Sequence, residues 1–367
     1  MRGSPVFRLA LPPARWAAGP LAVLLVSLFL IPSAVGAPED SPETYQAQSD
    51  RYRQAGQYAQ ASALAKKALE AATIQYGPQH AEVAVALNNL AALYLLQGQD
   101  TQAELLYRKA LAINEKNLGP AHPEVALDLA ELAKIETLRK HYERAEGLYQ
   151  QALNILRAAL GPTHPEVESL LAPLAEVLRQ EGRFDALAAV YRQELEIQAA
   201  RFGDRDYRLL PYLDQLVELH ASRREYDQAE ALCQRSLNIR QGFYAFQHPQ
   251  VLRTMRRLAK LYAAAGDSAQ ALEAYRRLLP RQRLLLGNYH PDVVDTLEAM
   301  GALYAAEKKY GWAINLYSHA LDGQEKNLGA HAPEVVATME RIADLYAQEG
   351  NNNLRDKWRA RAAQARP

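Results

Sequence analysis

Residues 118–126 read LGPAHPEVA, and the same word returns as YGPQHAEVA (76–84), LGPTHPEVE (160–168), FQHPQV (246–251) and GNYHPDVV (287–294). Aligned on its histidine, the word marks His80, His122, His164, Asp206, His248, His290 and Ala332, each 42 residues from the last. The next position is Ala81, Pro123, Pro165, Tyr207, Pro249, Pro291 and Pro333, and Gly77, Gly119, Gly161, Gly203, Ala245, Gly287 and Gly329 stand three residues before the anchor. A period that does not slip over this length marks a stack of supersecondary units.

A recurring histidine invites a metal-site interpretation, but a metal needs several ligands within about 2 to 2.3 Å of one ion. Stacked helices hold equivalent residues roughly 8 to 10 Å apart, so one histidine per unit makes a ladder and no coordination sphere. Helix punctuation accounts for more of the word. Proline at the first helical position supplies the right φ, and Glu124, Glu166 and Glu334 face the positive end of the helix dipole. Asp206, itself a favourable N-cap, replaces the histidine in one unit.

Between anchors the apolar spacing is helical. Leu87, Leu90, Ala91 and Tyr94 are followed by a break at QGQD (97–100), then by Ala103, Tyr107, Ala110 and Leu111. Gly98, Gly182, Gly266 and Gly350 fall in the break, where glycine can end a helix, and Tyr142, Phe184, Tyr226 and Tyr310 follow it. Each unit is therefore a pair of antiparallel helices. The phase extends back to Tyr52, Gly56, Tyr58, Ala61, Ala65, Ala68 and Leu69, and forward to Met339, Ile342, Tyr346 and Gly350. The predicted fold is all-α, a right-handed α-solenoid of eight stacked antiparallel helix pairs over residues 43–365. Its units lie at about 43–77, 80–119, 122–161, 164–203, 206–245, 248–287, 290–329 and 332–365. Length alone suggests two or three domains; the repeat makes one.

The pattern L-x-x-L-A-x-x-Y, then alanine nine residues on, then x3-Y-x2-A-L, resembles the tetratricopeptide repeat. The 42-residue period with HPEVA entering and NEKNLG leaving is similar to the variety found in kinesin light chains. The resemblance implies a protein-interaction scaffold, with first helices lining a concave groove that takes a peptide or protein partner. It also implies groove asparagines from LNNLA, matched here at Asn88 and Asn89; the equivalent pairs elsewhere differ, as Asp214/Gln215 and Arg256/Arg257 do.

In that arrangement the residues in phase with Asn88, Ala92 and Leu95 are the groove candidates. Asn88, Lys134 and Glu298 fall among them, and Arg253, Arg256, Arg257 and Lys260 form a basic patch between acidic units. One expectation is that this patch captures a carboxylate of a partner peptide, with Ala263, Ala302 and Ala305 leaving room for its side chains. The competing expectation is a lattice of inter-repeat ion pairs with Asp214 and Glu218 on one side and Asp295 and Glu298 on the other. Pro173 and Pro211 sit within first helices and predict a bend between units four and five. The basic last helix, 351–367, reads as a polar cap with Trp358 as its anchor.

Lys+Arg and Asp+Glu both number 42 in 367 residues, a balance that gives no reason to expect a nucleic-acid partner. No phosphate loop, nucleophile elbow or H-E-x-x-H motif is present, so no catalytic residue, cofactor or metal is assigned and the chain is read as non-enzymatic. The single cysteine, Cys233, falls at a core phase and is expected to be buried. Arg2, Arg8 and Arg15 precede an apolar run from Leu21 to Ile31 and then small residues, the layout of a secretory signal over 1–37, with 38–42 a short linker. The run is shorter than the roughly 20 residues a spanning helix needs. Periplasmic or extracellular export is the expectation; the alternative is an uncleaved membrane anchor over 17–35 with the repeats facing out of the cytoplasm as a structural subunit of a cell-envelope assembly, and an enzyme with a site built across repeats is a distant third. Oligomeric state is left open.

Overall fold

The computed structural model describes residues 40–366; the expected signal, residues 1–37, lies outside the described residues. Among the described residues there are sixteen α-helices and no strand. They pair as α1 (Pro42–Gln54) with α2 (Tyr58–Tyr76), α3 (Ala81–Leu96) with α4 (Asp100–Leu118), α5 (Pro123–Leu138) with α6 (Tyr142–Leu160), and α7 (Pro165–Gln180) with α8 (Phe184–Phe202). The second half continues with α9 (Leu210–Ser222) and α10 (Tyr226–Phe243), α11 (Pro249–Ala265) and α12 (Ser268–Leu286), α13 (Pro291–Ala306) and α14 (Tyr310–Leu328), and α15 (Pro333–Gln348) and α16 (Asn352–Ala365). Each helix packs chiefly on its neighbours in the chain, and each second helix on the next first helix, which gives a right-handed α-solenoid of eight pairs.

The repeated word builds the junction between units. Gly119 ends α4 at φ 88°, its N–H donating to the Glu115 carbonyl, and the His122 N–H donates back to the Gly119 carbonyl at 3.2 Å. His122 then holds an extended backbone and its Nδ1 accepts the Glu124 N–H at 3.2 Å. His80, His164, His248 and His290 repeat this cap on Glu82, Glu166, Gln250 and Asp292, and Asp206 does so on Arg208 at 2.9 Å. The histidines are thus side-chain N-caps, with Nδ1 as the acceptor. Ala332 alone in the series makes no side-chain cap bond.

The turn inside each pair needs one left-handed residue. Gly98 and Gly182 supply it without strain, while Lys140, Arg224 and Lys308 take φ of 63°, 62° and 60° at the same phase. The prolines act differently from each other. Pro211 sits in the first turn of α9, which starts late behind a 3₁₀ turn at Tyr207–Leu209, whereas α7 runs on through Pro173.

The signature alanines let the helices approach, and the large residues between them fill the seam. Ala103, Ala110, Ala145 and Ala152 are fully buried, Tyr107 and Tyr149 nearly so, and the core continues from unit to unit. Each large apolar side chain so placed contributes about 1.5 to 3 kcal/mol. Cys233 is buried, its thiol pushed up to about 11 chiefly by that burial.

His122→Ala should lower stability by about 1 kcal/mol in urea titration, whereas His122→Asp, the residue unit five uses, should leave the midpoint close to wild type. Lys140→Gly should raise the midpoint, by about 1 kcal/mol or less, because relief of the left-handed strain exceeds the extra entropy that glycine loses.

Candidate partner-binding face

Successive first helices are stitched together by side chains roughly one period apart. Asn88 of α3 donates through Nδ2 to Asp128 of α5 at 2.6 Å, and Arg256 of α11 pairs with Asp292 of α13 at 2.7 Å. Glu298 of α13 accepts from Arg341 of α15 at 3.2 Å. On the other side of unit six, Arg257 reaches back to Glu218 at 3.5 Å and donates to the Asp214 carbonyl at 3.2 Å. These bonds run along one side of the stack, so the first helices form a continuous row.

Most of the groove candidates belong to that stitching. Asn88, Arg256, Arg257 and Glu298 are half-buried and engaged, and Ala130, at the same phase as Asn88, is buried outright. Lys134 is half-buried and paired with Glu131 on its own helix. Arg253 and Lys260 differ: both are exposed, and neither has a carboxylate within salt-bridge distance among the described residues. They lie seven residues apart on α11, hence on one helix face. The basic patch therefore divides into two locked arginines and two open cations. Of the acidic partners expected, Asp214 and Glu218 do pair with Arg257, whereas on the other side Arg256 pairs with Asp292, Glu298 turns to Arg341 and Asp295 is exposed. Asp214 gives most of its capacity to Arg240, at 2.5 Å, and to Ser236.

A buried polar ladder that the sequence reading passed over lies beneath this row. The phase that holds Leu156 in unit three holds Asn114, Gln198, Arg240, Gln282 and Gln324 in others, all buried. Each reaches the neighbouring first-helix row: Asn114 donates to Asp128 at 2.7 Å, Gln198 to Glu168, Gln282 to the Asp292 carbonyl, and Gln324 to Glu298. A polar residue returning every 42 positions on an otherwise apolar stripe was the signal available. Asp128, 1% exposed, has its carboxyl pushed up to about 6 by burial, against the pull of the two amide donors. Burial, with Glu168 nearby, pushes Glu194 up to about 7.

Among the described residues no group of three or more His, Cys, Asp or Glu side chains is placed to hold a metal ion, and no helix is long and apolar enough to cross a membrane.

The raised carboxyls fix a pH dependence. Between about pH 4 and 7 the folded chain keeps protons on Asp128 and Glu194 that the unfolded chain has released, so stability falls as pH rises through that window. Asp128→Asn should flatten the fall up to about pH 6 and Glu194→Gln the part up to about pH 7, read as urea midpoints at each pH.

Comparison with known proteins accords with this geometry. A sequence model of the tetratricopeptide repeat matches residues 49–116, 106–158 and 207–284, and a second one matches 170–205. No curated protein matches the chain. Among solved structures, BtubC (BKLC) from P. vanneervenii is similar at 23% identity and TM-score 0.41, over 68% of this chain and 94% of that one. The apo form of RapI is similar at 13% identity and TM-score 0.44, over 88% and 97%. The TPR2AB domain of yeast Sti1, solved with pHSP90, is similar at 14% identity and TM-score 0.35, over 88% and 98%. With its helix pairs, its period and its matched repeats in agreement, the chain belongs to the tetratricopeptide repeat family.

Proposed function

We propose that this protein is a non-catalytic interaction scaffold that holds a peptide segment of a partner protein against its first-helix face, and that it does so outside the cytoplasm after export on residues 1–37. The observation that carries the binding proposal is the pair Arg253 and Lys260, exposed on one face of α11 and unpaired beside two arginines that are already neutralised. An open cation on a rigid helix is pre-organised for a carboxylate, and it sheds few existing contacts when one arrives. The neighbouring Ala302 and Ala263 keep the adjoining surface low enough for an extended or helical chain. The export proposal rests on the basic, apolar and small-residue order of the N-terminus.

Crosslinking of the native protein, with peptide mapping of the captured partner, supplies the ligand for a direct test. Arg253→Glu with Lys260→Glu should weaken that peptide at least tenfold by fluorescence anisotropy, with the helical circular dichroism unchanged. Unchanged affinity removes the groove proposal. N-terminal sequencing of the secreted chain should begin close to residue 38.

A further inference from the structure

On the second-helix side of the stack, away from the first-helix row, α10 and α12 part over a cleft of about 530 Å³. Leu237 of α10 and Met255, Leu258 and Tyr262 of α11 form its floor, and Ala274, with Arg281, forms part of the α12 wall. The 42-residue register explains why it opens here. The counterparts of Ala274 are Leu64, Leu106, Leu148, Val190, Leu232, Leu316 and Trp358, so this unit alone has a small side chain where every other has a large one. The counterparts of Arg281 in the four preceding units are Ile113, Ile155, Ile197 and Ile239, which are buried or half-buried. Ala274 and Arg281 lie two helical turns apart on one face of α12. That face has exchanged a leucine for an alanine and an isoleucine for a guanidinium.

The charge around the gap is unbalanced. Arg281 donates to the Arg277 carbonyl at 2.7 Å and touches Met255 Sδ at 3.9 Å, and it has no carboxylate within salt-bridge distance among the described residues. Among the charged residues that line the cleft, Glu273 and Arg277 are paired with each other at 2.8 Å, which leaves Arg281 as the lining charge without an acid partner. Phe246, 60% exposed beside Arg281, stands where three other units have Pro78, Pro120 and Pro162 and adds an apolar lip. Met255 is unbranched and adapts to different shapes.

We propose that this cleft is a second docking site, which takes an acidic amphipathic segment of a partner protein. A leucine-sized or aromatic side chain of the segment fills the space left at Ala274, and a carboxylate meets Arg281. The occupant is chosen by charge: an anionic segment neutralises the unpaired Arg281, whereas the chain's own N-terminal stretch, led by Arg2, Arg8 and Arg15, would add to it. The volume lies within the range of sites that enclose side chains or small ligands. The site is on the face opposite the proposed groove and does not depend on it.

The test uses the purified chain and a phage-displayed library of 16-residue peptides with Leu or Phe at i and i+4 and Asp or Glu at the flanking positions. A selected peptide, labelled with fluorescein, should bind with micromolar affinity, and the same peptide with Lys for each acid should not. Ala274→Leu, the residue of both neighbouring units, and Arg281→Ile, the residue of the four preceding units, should each weaken it at least tenfold, while Arg253→Glu with Lys260→Glu leaves it unchanged. Hydrogen exchange should slow over residues 234–241, 255–262 and 269–281. Each variant is checked by circular dichroism and melting, and either one that folds decides the matter. Selection of no binding peptide, equal affinity in the folded variants, or protection that leaves α10 and α12 unchanged overturns the proposal. Occupancy by laurate in place of any peptide does so as well, by assigning the cleft to a small amphiphile.

Discussion

No helix pair in this chain can bury its own apolar stripe, and the rest of the structure follows from that constraint. A second helix such as α4 has one face for its partner α3 and another for the next first helix, α5, so every unit is completed by its successor. The dependence fixes the period. A shift of one residue in any unit would turn Tyr107 or Tyr149 out of the seam and bring a solvent-facing residue into it. The HPEV word enforces the register by starting each first helix at a set point, through proline geometry and a histidine Nδ1 that satisfies an otherwise free backbone N–H.

Polar side chains complete what apolar packing leaves open. Where Leu156 is apolar, Asn114 and Gln282 reach the first helix of the next unit, and Gln198 and Gln324 the first helix of their own, through hydrogen bonds from buried side chains. Such bonds add little net stability when made and cost much when one partner is removed, so they favour one arrangement of neighbouring helices over near alternatives. Asp128 shows the cost directly, because its raised carboxyl means that ionisation and burial are in conflict even with two amides in place.

Departures from the repeat stand out against this uniform background. Tyrosine, alanine and leucine at signature phases carry little information about partners, since packing alone requires them. Ala274 and Arg281 in unit six, and Phe246 just before it, answer no packing requirement, nor do the unpaired cations Arg253 and Lys260 on the opposite side of that unit. Unit six is thus the least self-satisfied part of the stack in charge and in shape.

The sequence by itself determined the all-α class, the repeat, the helix pairing and the junction role of the histidines, because those depend on periodicities of 3.6 and 42 residues that a linear chain displays openly. It also placed Cys233 in the core. It could not apportion the charges. Arg253, Arg256, Arg257 and Lys260 look alike in the chain, and only the distances to Asp292 and Glu218 separate the two that are locked from the two that are open. Nor could it show the cleft at Ala274, although the small residue was visible in the register. A missing side chain becomes a cavity only if the surrounding helices do not close over it, and α10 and α12 remain apart. Pairing and closure depend on three-dimensional separation between helices, a quantity that a one-dimensional period does not contain.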